Sequence, residues 1–545
     1  MSCKKNYKMP TPKKYLNDIL NQLPKNNGKN ILKKINNINE LTWEQVGIII
    51  EQLLPPVIYD KWPEVSISLP LSFPESNSFN ESFSVEWYYL NGNGVTTNGD
   101  RIYFFRLLKR IGCAYNGGFE NIRIFSDSFT CTIIDNNGSV TRIDKTYSVP
   151  CCINNNLPLD YTGDIVHINN FPFNITYKNK ILFKIEDDMS TLSFNLELED
   201  NGINISMDIS GKCNKPILLQ GKELNGLDPN SSDIISKITG TSYLYYSWPS
   251  FNINNNSYIS MNTPLNNKKW YIDPLKSNMW VDHQGGVVKK PKLNILAQYS
   301  IMLGMRPNVF PGWNWFSIQF FNGEQVTFFS NKPWNNNKKY NIQRFQGTWD
   351  DKDGNLTWIT GILEILEFWE SPISGTNFGI KYKINFGDKG IFLLNSILKD
   401  QRVISSGRED FEGGADVFDE ENKLVGYSNL ECVGWPTIDE RVKFALQTIN
   451  IKYTSNDFKY IKNQLVTSLI GIRILISIIM CILFFIMYII NRRCKYFSKN
   501  KIHVITICVL IIFYIIITFF IREIGCKISN SCSKKYTHCL FKCPA

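Results

Sequence analysis

Asp282 and His283 stand side by side in Trp280-Val281-Asp282-His283-Gln284-Gly285-Gly286, and the whole chain holds only four histidines. A carboxyl next to an imidazole supplies the side chains most often used to move protons. Aromatic clusters lie on both sides of the pair in sequence: Val85-Glu86-Trp87-Tyr88-Tyr89 upstream and Gly312-Trp313-Asn314-Trp315-Phe316 downstream. No Ser or Cys motif accompanies the histidine, so a nucleophilic triad is not indicated, and no Gly-rich phosphate loop occurs. The competing reading of the same pair is structural: Asp-His in a strand can tie it to a neighbouring loop through buried hydrogen bonds. His167 has no partner motif and reads as structural.

These residues need strands to position them. Leu192, Phe194, Leu196 and Leu198 alternate with Ser193, Asn195, Glu197 and Glu199. After Asp200-Asn201-Gly202 the alternation resumes at Ile203, Ile205, Met207 and Ile209, which predicts a hairpin with a positive-φ turn. Similar signals occur at Asn98-Gly99, Asn137-Gly138, Asn322-Gly323 and Asp353-Gly354. Short strands without long helices between them indicate antiparallel meanders, which lose their exposed edges on closing into barrels and can then hold a ligand. The β region, about 65–455, is too long for one small barrel and suggests two. Trp313 and Trp315 fall on one strand face, where they either line a cavity or pack between barrels. Ahead of the strands, Thr42 and Gln45 have capping-box spacing, and Val46, Ile49, Ile50, Leu53 and Leu54 share a helical face ended by Pro55 and Pro56.

Hydrophobic residues make up 43% of the chain and aromatics 13%, enough to build real cores. The net charge of +10 is uneven. Residues 1–40 carry about +7 and residues 491–545 about +9, which leaves the middle near −6. That distribution excludes a basic nucleic-acid face on the folded body. Two uncharged apolar segments, Ile474 to Ile490 and Val504 to Ile521, each reach roughly 25–27 Å as helices, near the minimum for a membrane span. They predict a C-terminal membrane hairpin and an integral membrane protein. Orientation stays open: the basic loop between the segments favours the cytosolic side, while no signal peptide is present to carry the body across. Cys526, Cys532, Cys539 and Cys543 crowd the tail, where disulfides, acylation and zinc are alternatives, zinc the weakest.

The clusters also carry a resemblance. Glu86-Trp87-Tyr88-Tyr89, Tyr245-Tyr246-Ser247-Trp248-Pro249, Trp280 to Gly286, Gly312 to Gln319, and Glu412-Gly413-Gly414 with Gly426 to Glu431 follow one another in the order of the AttH-like, carotenoid 1,2-hydratase-like lipocalin family. The chain resembles that family over roughly 80–435. Tyr88 stands where the family has a second tryptophan. Gly285 stands where an aromatic is usual, and the lost bulk is expected to open or reshape a cavity mouth.

The resemblance implies a mainly β fold of two tandem antiparallel lipocalin-like β-barrels; the short helical region before them and the two transmembrane helices after them are read from this chain's own residues and are extra to the family. The expected division is a basic lead with an amphipathic helix at 1–64, barrels at 65–300 and 301–455, and the membrane hairpin with its Cys-rich tail at 456–545. The resemblance also implies an apolar small molecule or lipid as partner; no cofactor, metal or nucleic acid is expected. Hydratases of the family protonate an isoprenoid C=C bond from a carboxyl kept neutral by an apolar pocket, while other members guide cyclisations. Asp282 is the expected acid and His283 its proton partner. Glu86, Trp87, Tyr88, Tyr246, Trp280, Trp313, Trp315 and Glu431 are the expected ligand-binding residues. Three functions remain open: an apolar-ligand binder, an isoprenoid or polyketide hydratase or cyclase, and a non-catalytic structural or interaction protein.

Overall fold

The computed structural model describes residues 11–21, 40–53, 71–112, 123–153, 164–228, 243–286, 313–331 and 341–449, less a few single positions. The apolar segments 474–490 and 504–521, the cysteine-rich tail, Leu54 and the prolines after it lie outside the described residues. Among the described residues no helix is long and apolar enough to cross a membrane.

Two sheets dominate. The first runs through β1 (Val85–Val95), β2 (Arg101–Ile111), β3 (Arg123–Ile134), β4 (Val140–Ile153), β5 (Val166–Asn170), β6 (Phe173–Tyr177), β7 (Lys180–Ile185) and β8 (Thr191–Asp200). It continues with β9 (Ile203–Cys213), β10 (Leu218–Leu219), β11 (Tyr243–Trp248), β12 (Phe251–Ile253), β13 (Tyr258–Asn262), β14 (Asn267–Tyr271) and β15 (Asn278–Gly286). All its pairings are antiparallel except β4 with β5. Only Pro249 and Ser250 separate β11 from β12, yet β11 pairs with β15 and β12 with β9. Those partners lie far apart in the strand order, so the sheet must curl until they meet at this corner. Among the described residues its hydrogen bonding does not form a ring.

The second sheet comprises β16 (Trp313–Phe320), β17 (Gln325–Asn331), β18 (Ile342–Asp350), β19 (Leu356–Glu370), β20 (Asn377–Asn385), β21 (Ile391–Ser396), β22 (Arg402–Ser405), β23 (Arg408–Phe418) and β24 (Leu424–Val433). Pairing of β16 with β24 and of β21 with β23 closes eight of these into a barrel, with β22 as a spur on β23. The expectation of two closed barrels is therefore corrected to one closed barrel and one curled open sheet. Both interiors are filled. Tyr88, Phe183, Phe194, Tyr246 and Trp248 pack inside the curled sheet, and Phe316, Phe328, Phe345, Phe378 and Trp435 inside the barrel. Neither interior is the empty ligand cavity that a lipocalin-type barrel leads one to expect.

The turns follow the sequence signals. Gly99, Gly138, Gly202, Gly323 and Gly354 all take positive φ, between 78° and 90°, where a side chain would be strained. The Thr42–Gln45 capping box is present and starts α2 (Trp43–Ile48), which continues as a π-helical turn, Ile49–Leu53. Val46, Ile49, Ile50 and Leu53 are buried. Two helices were not expected: α1 (Pro12–Asn21) and α3 (Ile438–Thr448). Gln45 Nε2 donates to the Ile449 carbonyl, and Arg441 Nε donates to Gln52 Oε1 at 2.5 Å, so the segments flanking the strand region meet.

Candidate functional site

Side chains alternate along a strand, so neighbours in sequence face opposite sides. On β15 this separates the expected pair. His283 faces the filled interior of the curled sheet, whereas Asp282 faces outward toward the barrel. Register extends each row across three strands: Tyr88, His283 and Tyr246 lie opposite one another, as do Tyr89, Asp282 and Ser247. The dyad predicted from adjacency does not form, because β pleating points the two side chains apart.

The inward row is a buried polar network. His283 is fully buried and lies 4.2 Å centroid to centroid on the Tyr88 ring, with the planes 6° apart. Its Nδ1 is 2.7 Å from Tyr246 Oη and its Nε2 3.2 Å from Glu86 Oε1. Glu86 Oε2 accepts from Arg110 Nη2 at 2.9 Å and from the Asn80 backbone N–H at 2.8 Å. Tyr246 Oη also lies 2.7 Å from Asn77 Oδ1 and 3.0 Å from the Ser76 carbonyl. Tyr88 Oη donates to the Asn77 carbonyl at 2.6 Å. A single phenolic proton serves only one of these two oxygens, since both only accept. Glu86, Tyr88, Tyr246 and His283 thus tie the 76–80 segment to the sheet.

The outward row builds a different site. Ser247 Oγ donates to Asp282 Oδ1, Trp280 Nε1 donates to the same oxygen at 2.7 Å, and Tyr245 Oη donates to Oδ2 at 3.2 Å. Trp315 Nε1, from the barrel, donates to Tyr245 Oη at 2.7 Å. Burial pushes the Asp282 carboxyl up to about 7, against the pull of its Ser247, Trp280 and Tyr245 hydrogen bonds. Tyr89, Tyr103, Phe105, Trp280, Trp315 and Phe329 form one apolar cluster around it, between the curled sheet and the outer face of the barrel.

The barrel contributes acids of its own. Glu412 and Glu431 are cross-strand partners on β23 and β24, and Trp315 pairs with Glu431 from the other side. Tyr89 Oη donates to Glu412 Oε2 at 3.0 Å and receives the Asn429 amide Nδ2–H. Both glutamates are raised, first by burial, with Glu431 adding to the effect on Glu412 and Asp410 acting on both. Arg408, bonded to Asp410, offsets part of this. Trp87, Trp313 and Glu431 keep partial exposure amid buried neighbours. A proton-holding carboxyl group among aromatic faces can donate a proton or hydrogen-bond a neutral ligand.

Of the expected residues, Asp282, Trp87, Trp280, Trp313, Trp315 and Glu431 therefore share the layer between sheet and barrel. Glu86, Tyr88, Tyr246 and His283 do not reach it. Tyr89, Tyr245, Ser247, Glu412 and Asn429 were missed as site residues. Each stands one or two positions from an expected residue or in the quoted closing motifs, and strand parity relative to Asp282 was the available signal for the first three. Gly285 opens no mouth: an added Cβ would lie 2.6 Å from Glu86 Cγ and 2.9 Å from Phe83 Cδ2. Among the described residues no set of three His, Cys, Asp or Glu side chains is disposed to hold a metal ion.

Among solved structures, the chain is similar to an AttH protein from Nitrosomonas europaea, at 16% identity and TM-score 0.49 over 69% of this chain and 100% of that one. It is also similar to kievitone hydratase from Nectria haematococca, at 15% identity and TM-score 0.42 over 70% and 95%. A third similarity is to CghA, at 11% identity and TM-score 0.39 over 70% and 96%. Curated proteins yield no match. The AttH-like family model matches residues 64–433, most of the chain and both sheets. The chain belongs to the AttH-like family.

Proposed function

We propose that this protein binds an apolar small molecule, of lipid or isoprenoid type, in the layer between the curled sheet and the barrel. The observation that carries the reading is the convergence of Trp87, Trp280, Trp313 and Trp315 with Asp282 and Glu431 on that layer, while both interiors are filled. Few polar anchors on an aromatic surface are the usual make-up of a small-molecule site. The test is mass spectrometry of lipophiles that co-purify with the full chain in detergent, followed by rebinding to stripped protein. Absence of any bound lipophile, and of binding by lipophilic probes, defeats the reading.

A second reading is favoured by the Asp282 carboxyl, which holds its proton near neutral pH in an aromatic surrounding. As a hydratase or cyclase acid it transfers that proton to a C=C bond. The tertiary cation is steadied by the tryptophan faces, water bonds to carbon, and the proton released by that water restores the acid. Asp282→Asn then abolishes turnover with little change in thermal stability. A large stability loss with turnover retained returns Asp282 to a structural role. His283 takes no part in this step.

The segments 474–490 and 504–521 are proposed to anchor the protein in a membrane, which would place the site close to lipophilic ligands. Extraction of the full chain by alkaline carbonate without detergent would refute the anchor.

A further inference from the structure

The layer holds buried polar atoms that its own side chains leave unsatisfied. Among the described residues, Tyr103 Oη and Asn429 Oδ1 have no hydrogen-bond partner, although Tyr103 is fully buried and Asn429 only 1% exposed. An unpartnered buried polar atom is costly, so two at one place call for a missing group. Both belong to one spot. The Asn429 amide donates to Tyr89 Oη. Tyr103 lies close to Tyr89 without hydrogen-bond geometry to it, and its ring covers Gly414, the cross-strand partner of Asn429. Tyr89 in turn donates to Glu412.

We infer that Tyr103, Asn429 and Glu412 form a subsite for the hydroxyl group of a neutral lipophilic alcohol, and that the site discriminates against lipophilic carboxylates. The inference rests on the ligand-binding reading above and adds the polar end of the ligand. A hydroxyl both donates and accepts, so it can satisfy Asn429 Oδ1 and the Tyr103 O–H together; a carbonyl or ether only accepts and leaves Asn429 Oδ1 orphaned. Charge sets the second half of the preference. The burial that raises the Asp282, Glu412 and Glu431 carboxyls penalises the buried charge of an incoming carboxylate in the same way, and Arg408 is already bonded to Asp410. The apolar remainder of the ligand lies along Trp87 and Trp313, the part-exposed aromatics of the layer.

The experiment compares oleyl alcohol, oleate and octadecene binding to the full chain in detergent at neutral pH, read by tryptophan fluorescence and checked by calorimetry. Oleyl alcohol is expected to bind about tenfold more tightly than oleate. Tyr103→Phe should weaken oleyl alcohol roughly fivefold and leave octadecene unchanged. Oleate binding as tightly as the alcohol overturns the inference while leaving the binding reading intact. So does Tyr103→Phe with unchanged alcohol affinity, which would mean that water occupies the two atoms. If none of the three probes binds, the binding reading itself falls and this inference with it.

Discussion

Glu412 and Glu431 face one another directly across the β23–β24 pair, with Tyr89 of the other sheet donating to Glu412. Like charges directly opposite on neighbouring strands destabilise a sheet, and burial amplifies the effect. Their arrangement is tolerated because both carboxyls are raised and hold protons that exposed glutamates would release.

That relationship predicts the pH dependence of stability. The ordinary values of Asp282 and Glu431 are 3.8 and 4.5, and burial raises both, Asp282 to about 7. Between the unfolded and folded values the native state binds more protons, so stability falls as pH rises through that window. The melting temperature should therefore be higher near pH 5 than near pH 8. Asp282→Asn should flatten part of this slope. A melting temperature that rises steadily from pH 5 to 8 contradicts the assignment.

His283→Ala should cost roughly 2–4 kcal/mol of stability, because it removes a ring stacked on Tyr88 and strips Glu86 and Tyr246 of a partner. Lipophile affinity of the remaining folded protein should be unchanged. Denaturant titration and ligand binding measured on the same preparation separate the two effects. Lost affinity in a fully stable variant would put His283 back in the site.

Gly285→Ala should destabilise by roughly 1–3 kcal/mol, since its Cβ would overlap the Glu86 side chain and Phe83. A chemical-denaturation midpoint equal to that of the parent would mean that the 80–86 segment yields easily.

Arg106 and Asp127 form a buried bidentate pair inside the curled sheet, with the guanidinium also donating to the Leu182 and Asn195 carbonyls. Arg106→Leu strands Asp127 and should cost roughly 3–5 kcal/mol. Adding Asp127→Leu should recover much of that loss. No recovery in the double variant would show that the carbonyl bonds, and not the charge pair, carry the effect.

Much was legible in the sequence because it depends on neighbours along the chain. Alternation at 192–209 and the Asn-Gly and Asp-Gly steps determine strands and turns through local backbone sterics. The Thr42–Gln45 box likewise determines where a helix begins. Five motifs in order, from Glu86-Trp87-Tyr88-Tyr89 through Trp280 to Gly286 and on to the closing strands, indicate the family that residues 64–433 match. Strand parity also separates Asp282 from His283 once β15 is assigned, although adjacency in the chain suggests a pair.

Tertiary structure alone decided the rest. Whether a sheet closes depends on pairings between strands far apart in sequence, so the curled open sheet and the closed barrel could not be read from local pattern. Which face of each strand meets water, a filled interior or the other sheet is set by how the two sheets pack. That packing brings Glu412 to Tyr89, and Trp315 to Tyr245, across gaps of 70 or more positions in the chain. Burial in that layer is what raises the carboxyls, and burial is a property of the assembled layers rather than of any residue in them.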